Sequence, residues 1–150
     1  MVAQAVEGDA MNRDALAAQL AIDEGVRLKP YQDTVGKLTI GVGRNLDDVG
    51  ISKPEAMMLL GADIDNACAD LDRALPWWRN MSDRRMQALA NMCFNMGIGD
   101  SKRGLLSFRN TLTKMQAGDY AGAAQGMLES QWARQVGERA QRLAQMMREG

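Results

Sequence analysis

The chain has 150 residues, with 18 basic and 19 acidic side chains, a net charge of −1 and no histidine. That length fits one domain, or one domain with two lobes, and buries about 70% of the unfolded surface without disulfide or metal staples. With 46% hydrophobic and 25% charged residues, the composition is that of an ordinary soluble protein, and no apolar run approaches the ~18 residues of a membrane span.

Residues 1–11 show no clear period and end at a second methionine, Met11. They read as a leader outside the fold, whether frayed, an expression remnant or part of a longer parent. They lack a basic start followed by an apolar stretch, so no secretory signal is visible. Asn12 is a helix N-cap residue. Leu16 and Leu20, with Ala17 and Ala21, then give an apolar stripe at helical spacing. The pattern stops at Glu24, directly before Gly25, the residue type that tolerates a left-handed backbone past a helix end. A carboxylate in that last turn faces the negative end of the helix dipole, where its anion is disfavoured.

From Val26 the period changes. Leu38, Ile40 and Val42 alternate with Thr39, Gly41 and Gly43, which predicts strand. Pro30 confines the strand before it to a sheet edge or a strand end. Asp33-Thr34-Val35-Gly36 has the Asp-x-x-Gly form of a tight turn. These features predict a small antiparallel hairpin or sheet. Gly41 and Gly43 suit either close approach by a ligand or another backbone, or a bend.

Ser52-Lys53-Pro54-Glu55 is a capping box with Pro in the first turn. Met57, Leu60, Ile64, Leu71 and Leu75 continue at helical spacing until Pro76, which predicts a rod of roughly 35 Å. Trp77-Trp78 follows, either as a sugar-stacking platform or, more simply, as packing. Ser82 opens a helix whose run from Ala88 to Met96 is apolar nearly all round, as in a central buried helix. Gly97 and Gly99 end it. Leu105 to Met115 predicts a helix or helix pair ending at Gly118. Asp119 caps a short helix to about Leu128, Trp132 begins a short turn, and Val136 to Met147 forms a terminal helix.

Residues 1–75 hold 13 acids against 7 bases, and residues 76–150 hold 6 acids against 11 bases. A basic half favours a polyanion, such as a wall polymer bearing carboxylates or a nucleic acid; the plainer reading is that solvated helix faces differ in charge. Cys68 and Cys93 are isolated thiols in helical patterns. With no Cys-x-x-Cys and no histidine, they read as core thiols rather than zinc ligands, and a disulfide between them is left open. Twelve methionines on helical faces read as core filler.

Two carboxylates set in different environments are what glycosidic acid–base chemistry needs. Glu24 closes a helix and Asp33 sits on a turn, with Thr39 on the strand beyond. Taken singly, each has a plain structural reading: a surface carboxylate, a turn residue, a strand residue.

The order Glu24, Asp33, Thr39, within DEG…Y-x-D-T-x-G…TIGVG, resembles the phage T4-type lysozymes, glycoside hydrolase family 24. The likeness continues through Ala88–Gly97 and Gln135–Met146 and covers residues 12–150. It implies an α+β, mostly α, lysozyme-like fold. A small N-terminal lobe with a β-hairpin or sheet (12–52) would join a helical lobe (76–150) through a linking helix (53–75). It also implies a muramidase that cuts the β-1,4 bond between N-acetylmuramic acid and N-acetylglucosamine with inversion. Glu24 would be the acid, Asp33 the base, and Thr39 would help to place the attacking water. By the same likeness Phe94 and Arg139 line the cleft, Arg44 contacts substrate and Arg27 orients the hairpin. Without the likeness, Phe94 is a core aromatic and Arg139 and Arg142 are surface cations.

No cofactor or metal is implied. The expected partner is bacterial peptidoglycan, met by a monomer, with no nucleic acid and no membrane insertion. The expected life is synthesis in a host bacterial cytoplasm, then action on the wall from the periplasm or from a virion. Arg44 stands where the T4-type pattern has histidine, and the segment Asn45–Ile51 is shorter than the family's, which suggests fewer sugar subsites. The rival readings are a lytic transglycosylase and a virion component that binds wall without cutting it.

Overall fold

The computed structural model describes residues 10–150. The expected leader therefore lies outside the described residues, except for Ala10 and Met11, which precede every element. The fold is α+β and mostly α, with a three-stranded antiparallel sheet and seven α-helices among the described residues. None of these helices is long and apolar enough to cross a membrane. The chain divides into two compact units, one ending at Ala56 and the other Met57–Gly150.

In the first unit, helix α1 is Arg13–Glu24. Its start is set by Asn12, whose Oδ1 accepts the Ala15 N–H at 3.0 Å. Gly25, at φ 74°, takes the chain out of the helix, a conformation that costs glycine little. The expected apolar stripe is not buried: no α1 side chain is, and Leu20 is 42% exposed. Strands β1 (Arg27–Gln32), β2 (Leu38–Gly41) and β3 (Arg44–Asn45) follow in the order β1-β2-β3. Tyr31 pairs with Thr39 and Gln32 with Leu38, while Thr39 and Ile40 pair across to Asn45 and Arg44. Pro30 lies in the edge strand, within the irregular pairing between Arg27 and Tyr31, where a residue with no N–H does least harm. The Arg27 guanidinium sits 4.4 Å from the centre of the Tyr31 ring.

The capping box forms as the sequence predicts. Ser52 Oγ accepts the Glu55 N–H at 3.3 Å, and Glu55 Oε1 accepts the Ser52 N–H at 3.0 Å. It starts helix α2 (Lys53–Ala74), whose 22 residues make a rod of about 33 Å. A 3-10 turn, Pro76–Asn80, ends it. Here the tryptophan pair resolves into packing. Trp78 is 3% exposed, and its indole N–H donates to Asp72 Oδ1 at 2.8 Å. Arg79 donates to both Asp72 oxygens, at 2.6 and 3.0 Å, and lies over the Trp78 ring. These donors, Arg79 first, hold the Asp72 carboxyl below the usual carboxylate range.

The second unit carries the apolar core. Helix α3 (Asp83–Met96), capped by Ser82, buries Ala88, Leu89, Met92 and Cys93. After a 3-10 turn at Leu105–Ser107 come α4 (Arg109–Gln116), α5 (Tyr120–Glu129, capped by Asp119), α6 (Gln131–Val136) and α7 (Glu138–Glu149). Trp132 thus lies in the first turn of a short helix rather than beginning a turn. Leu71, Leu89, Met92, Leu105, Met115, Met127, Leu143 and Met147 are the largest fully buried side chains of this unit. Unbranched thioethers suit such gaps because they bend to fit. Arg85 donates to the Met147 and Arg148 carbonyls at 2.7 and 3.1 Å, satisfying the end of α7, and stacks on Tyr120. Cys68 is half-buried and Cys93 buried, and both are free thiols. Burial pushes the Cys93 thiol up to about 11.

Candidate active site

The first unit holds Glu24, Asp33 and Thr39, all organised about the short strand β2. Asp33 opens the turn leading into β2. Its backbone N–H donates to the Lys37 carbonyl at 2.9 Å, and its Oδ1 accepts the N–H groups of Val35 and Lys37 at 3.0 and 2.8 Å. These bonds fix the carboxylate's direction and leave Oδ2 without a partner among the described residues. Thr39 lies one residue into β2 and is 3% exposed. Its hydroxyl donates to the Lys37 carbonyl at 2.9 Å, so the Thr39 oxygen retains accepting capacity. The Lys37 peptide thus ties Asp33 and Thr39 into one rigid corner.

Glu24 meets the other end of the strand. Gly43, at φ 68° in the turn between β2 and β3, lies against its carboxylate. A Cβ added to Gly43 would stand 3.1 Å from Glu24 Oε2 and 3.3 Å from its carboxyl carbon. Gly43 forms part of a bend, as one of the two expected uses has it, and the group that approaches it closely is a side chain rather than a ligand or a backbone. Gly41 has open space on that face. The Glu24 carboxylate is exposed and accepts no hydrogen bond among the described residues.

Arg44, next after Gly43, has both terminal nitrogens in contact with partners. Nη1 donates to Glu55 Oε1 at 2.9 Å and to the Gly50 carbonyl at 3.1 Å, and Nη2 meets Glu55 Oε2 at 2.8 Å. Held by Arg44 first and by Ser52 second, the Glu55 carboxyl is lowered to about 2.

The second unit holds Phe94 and Arg139. Phe94 is 45% exposed although it belongs to the central helix α3. It lines an open pocket of about 370 Å³ with Leu60, Ile64, Ala90, Asn91 and Arg139. Arg139 Nε and Nη2 both donate to Asn91 Oδ1, at 3.0 and 2.7 Å, across 48 residues of chain. An apolar floor with one aromatic and one fixed cation suits a sugar ring bearing acidic substituents. Among the described residues, no group of three His, Cys, Asp or Glu side chains converges to hold a metal.

The family model for phage lysozyme matches residues 21–149, a span that includes all of these residues. The chain belongs to the phage lysozyme family. It is 30% identical to the pre-baseplate central spike protein Gp5 of Enterobacteria phage T4, over 91% of the chain and 28% of that protein. It is 34% identical to the SAR-endolysin of Escherichia phage Mu, over 69% of the chain and 58% of that protein. An endolysin of Acyrthosiphon pisum secondary endosymbiont phage 1 is 32% identical, over 77% of each. The chain thus spans little more than a quarter of the T4 spike protein and under two thirds of the Mu endolysin.

Asn91 and Glu55 hold the two candidate site arginines, Arg139 and Arg44. Asn91 is one of two amides inside the apolar run Ala88–Met96, and that is the signal that marks it. Its helix neighbour Asn95 plays a parallel part, accepting the Trp132 indole N–H at 2.8 Å. For Glu55 the local spacing marks only a cap, because its second partner, Arg44, lies 11 positions away.

Proposed function

We propose that the chain is a glycoside hydrolase acting on bacterial peptidoglycan. It cuts the β-1,4 bond between N-acetylmuramic acid and N-acetylglucosamine with inversion. Family membership and the endolysins among its relatives support wall hydrolysis. The bare Glu24 carboxyl, held against a glycine where a sugar oxygen can approach it, is the observation that carries the residue assignment.

Glu24 gives its proton to the leaving glycosidic oxygen as the bond breaks. Asp33, held by two backbone N–H groups and open at Oδ2, takes a proton from the water that attacks the anomeric carbon. Thr39 accepts a hydrogen bond from that water. Asp33 precedes β2, and the Glu24 carboxyl lies against Gly43 just beyond it. Inverting pairs stand roughly 6.5–9.5 Å apart, which leaves room for a water. Phe94 and Arg139 contact the glycan, the cation facing its carboxylates. No cofactor takes part.

The test is release of reducing ends from purified walls. Glu24→Gln should lower the rate by at least about 100-fold, the usual worth of a positioned general acid, with an unchanged melting curve. Wild-type rates in that variant would remove Glu24 from the role. Asp33→Asn keeps an oxygen to accept the turn's N–H groups, so it should fold normally and lose activity on a similar scale. If Asp33→Asn remains active and the product is lighter by one water, the reaction is a transglycosylation instead.

The similarity to a T4 spike protein favours a second reading of where the enzyme works: carried on a virion rather than free in a lysing host. Antibody detection of the chain in purified particles, or its absence there, decides between them. Walls that bind the chain but release no reducing ends would make it a binding component only.

A further inference from the structure

The β2–β3 turn that bears on Glu24 has little of its own to hold it. β3 is two residues long, Arg44–Asn45. It is paired to β2 only, through Ile40–Arg44 and Thr39–Asn45. The Leu46 N–H adds one bond to the Leu38 carbonyl at 2.7 Å. The Asn45 carbonyl accepts the Val49 and Gly50 N–H groups, Asp47 Oδ2 accepts the Leu38 N–H at 2.8 Å, and the Arg44 side chain adds a tie to α2. Its planar fork meets both Glu55 oxygens, and it also reaches the Gly50 carbonyl. Glu55 is in turn fixed by the Ser52 N–H in the first turn of α2. One carboxylate therefore both starts the long helix and anchors the residue that follows Gly43. Both side chains are more than a third exposed, so the pair adds little to stability. A two-point fork nevertheless restricts direction far more than a single contact does.

We propose that Arg44 is a positioning residue for the acid: by bridging Glu55 and the Gly50 carbonyl, it holds the Val42–Gly43 turn against the Glu24 carboxylate. This rests on Glu24 being the proton donor of the reaction proposed above. It assigns Arg44 to placing the acid rather than to gripping the sugar, because both ends of its fork are already occupied. Without the brace, the turn moves and the acid loses its fixed approach to the glycosidic oxygen.

The test uses Arg44→Met, Glu55→Gln and the double variant, assayed on purified glycan strands at a temperature where all are folded. Each single variant should lower kcat about tenfold, as a small misplacement of a catalytic group does. KM should stay within about twofold. The double variant should lose no more than either single, since both break one link. A rise in KM confined to Arg44→Met would make Arg44 a sugar contact and overturn the proposal. So would additive losses, or a lowered melting point with kcat unchanged. Amide hydrogen exchange at Leu46, whose N–H is bonded to the Leu38 carbonyl, provides a readout that needs no catalysis. It should quicken about tenfold in both variants if the brace holds the turn. Unchanged exchange overturns the brace, whereas quickened exchange in a chain that cuts no wall refutes the reaction and leaves the brace standing.

Discussion

Gly43 shows how much can hang on a missing side chain. It adopts φ 68°, and the place where a Cβ would stand is 3.1 Å from Glu24 Oε2. Gly43→Ala therefore meets two obstacles. The left-handed backbone costs an alanine about 1–2 kcal/mol, and the new methyl group pushes the carboxyl aside. Denaturant melts should show the first effect, and a fall in kcat beyond the folded fraction should show the second. Asn91 acts from a distance in the same way. Asn91→Ala removes the only hydrogen-bond acceptor found for Arg139 among the described residues, so KM for wall glycan should rise several-fold with kcat nearly kept. Neither contact was legible beforehand. Glu24 and Gly43 are far apart in the chain, as are Asn91 and Arg139, and no local pattern encodes which distant side chain will arrive.

Local signals fared better at the level of whole elements. Asn12, Ser52-x-x-Glu55, Ser82 and Asp119 each cap the helix they announce. A cap bonds to an N–H only three residues on, so sequence spacing and spatial distance are the same thing there. Pro76 and Gly97 stop their helices for equally local reasons. The sheet was legible as a sheet, with Pro30 on its edge, but its register was not. Register depends on how far β3 slides along β2, and the loop after β3 sets that slide through Leu46. The apolar stripe of α1 misled because spacing identifies a face without saying whether anything covers it. The apolar stretch of α3 did find its core. Leu89→Ala, at a site with no exposure, should cost roughly 2–5 kcal/mol, readable from urea melts.

Across the whole molecule the interior is unevenly shared. Every buried apolar side chain among the described residues lies in the second unit, while Thr39 alone is buried in the first. Amide exchange should accordingly be slowest in α3, α5 and α7 and markedly faster through α1 and the sheet. Uniform protection across both units would contradict this. Dependence on pH follows from the charged groups. Glu55 binds its proton more weakly folded than unfolded, so its stabilisation is complete above about 4.5 and fades as the pH falls toward about 2. Cys93 has the opposite sign: its folded value of about 11 exceeds the ordinary 9.0, so its contribution holds below 9 and is lost as the pH climbs through 11. With no histidine in the chain, the melting temperature should be flat from about pH 5 to 8.

The Cys93 thiol also serves as a clock. A sulfur that is sealed from water and reluctant to ionise ignores an alkylating reagent until the helices around it part. The rate at which iodoacetamide marks Cys93, with the half-buried Cys68 as the earlier reference, therefore times the breathing of the helical interior, without any probe having to be engineered in.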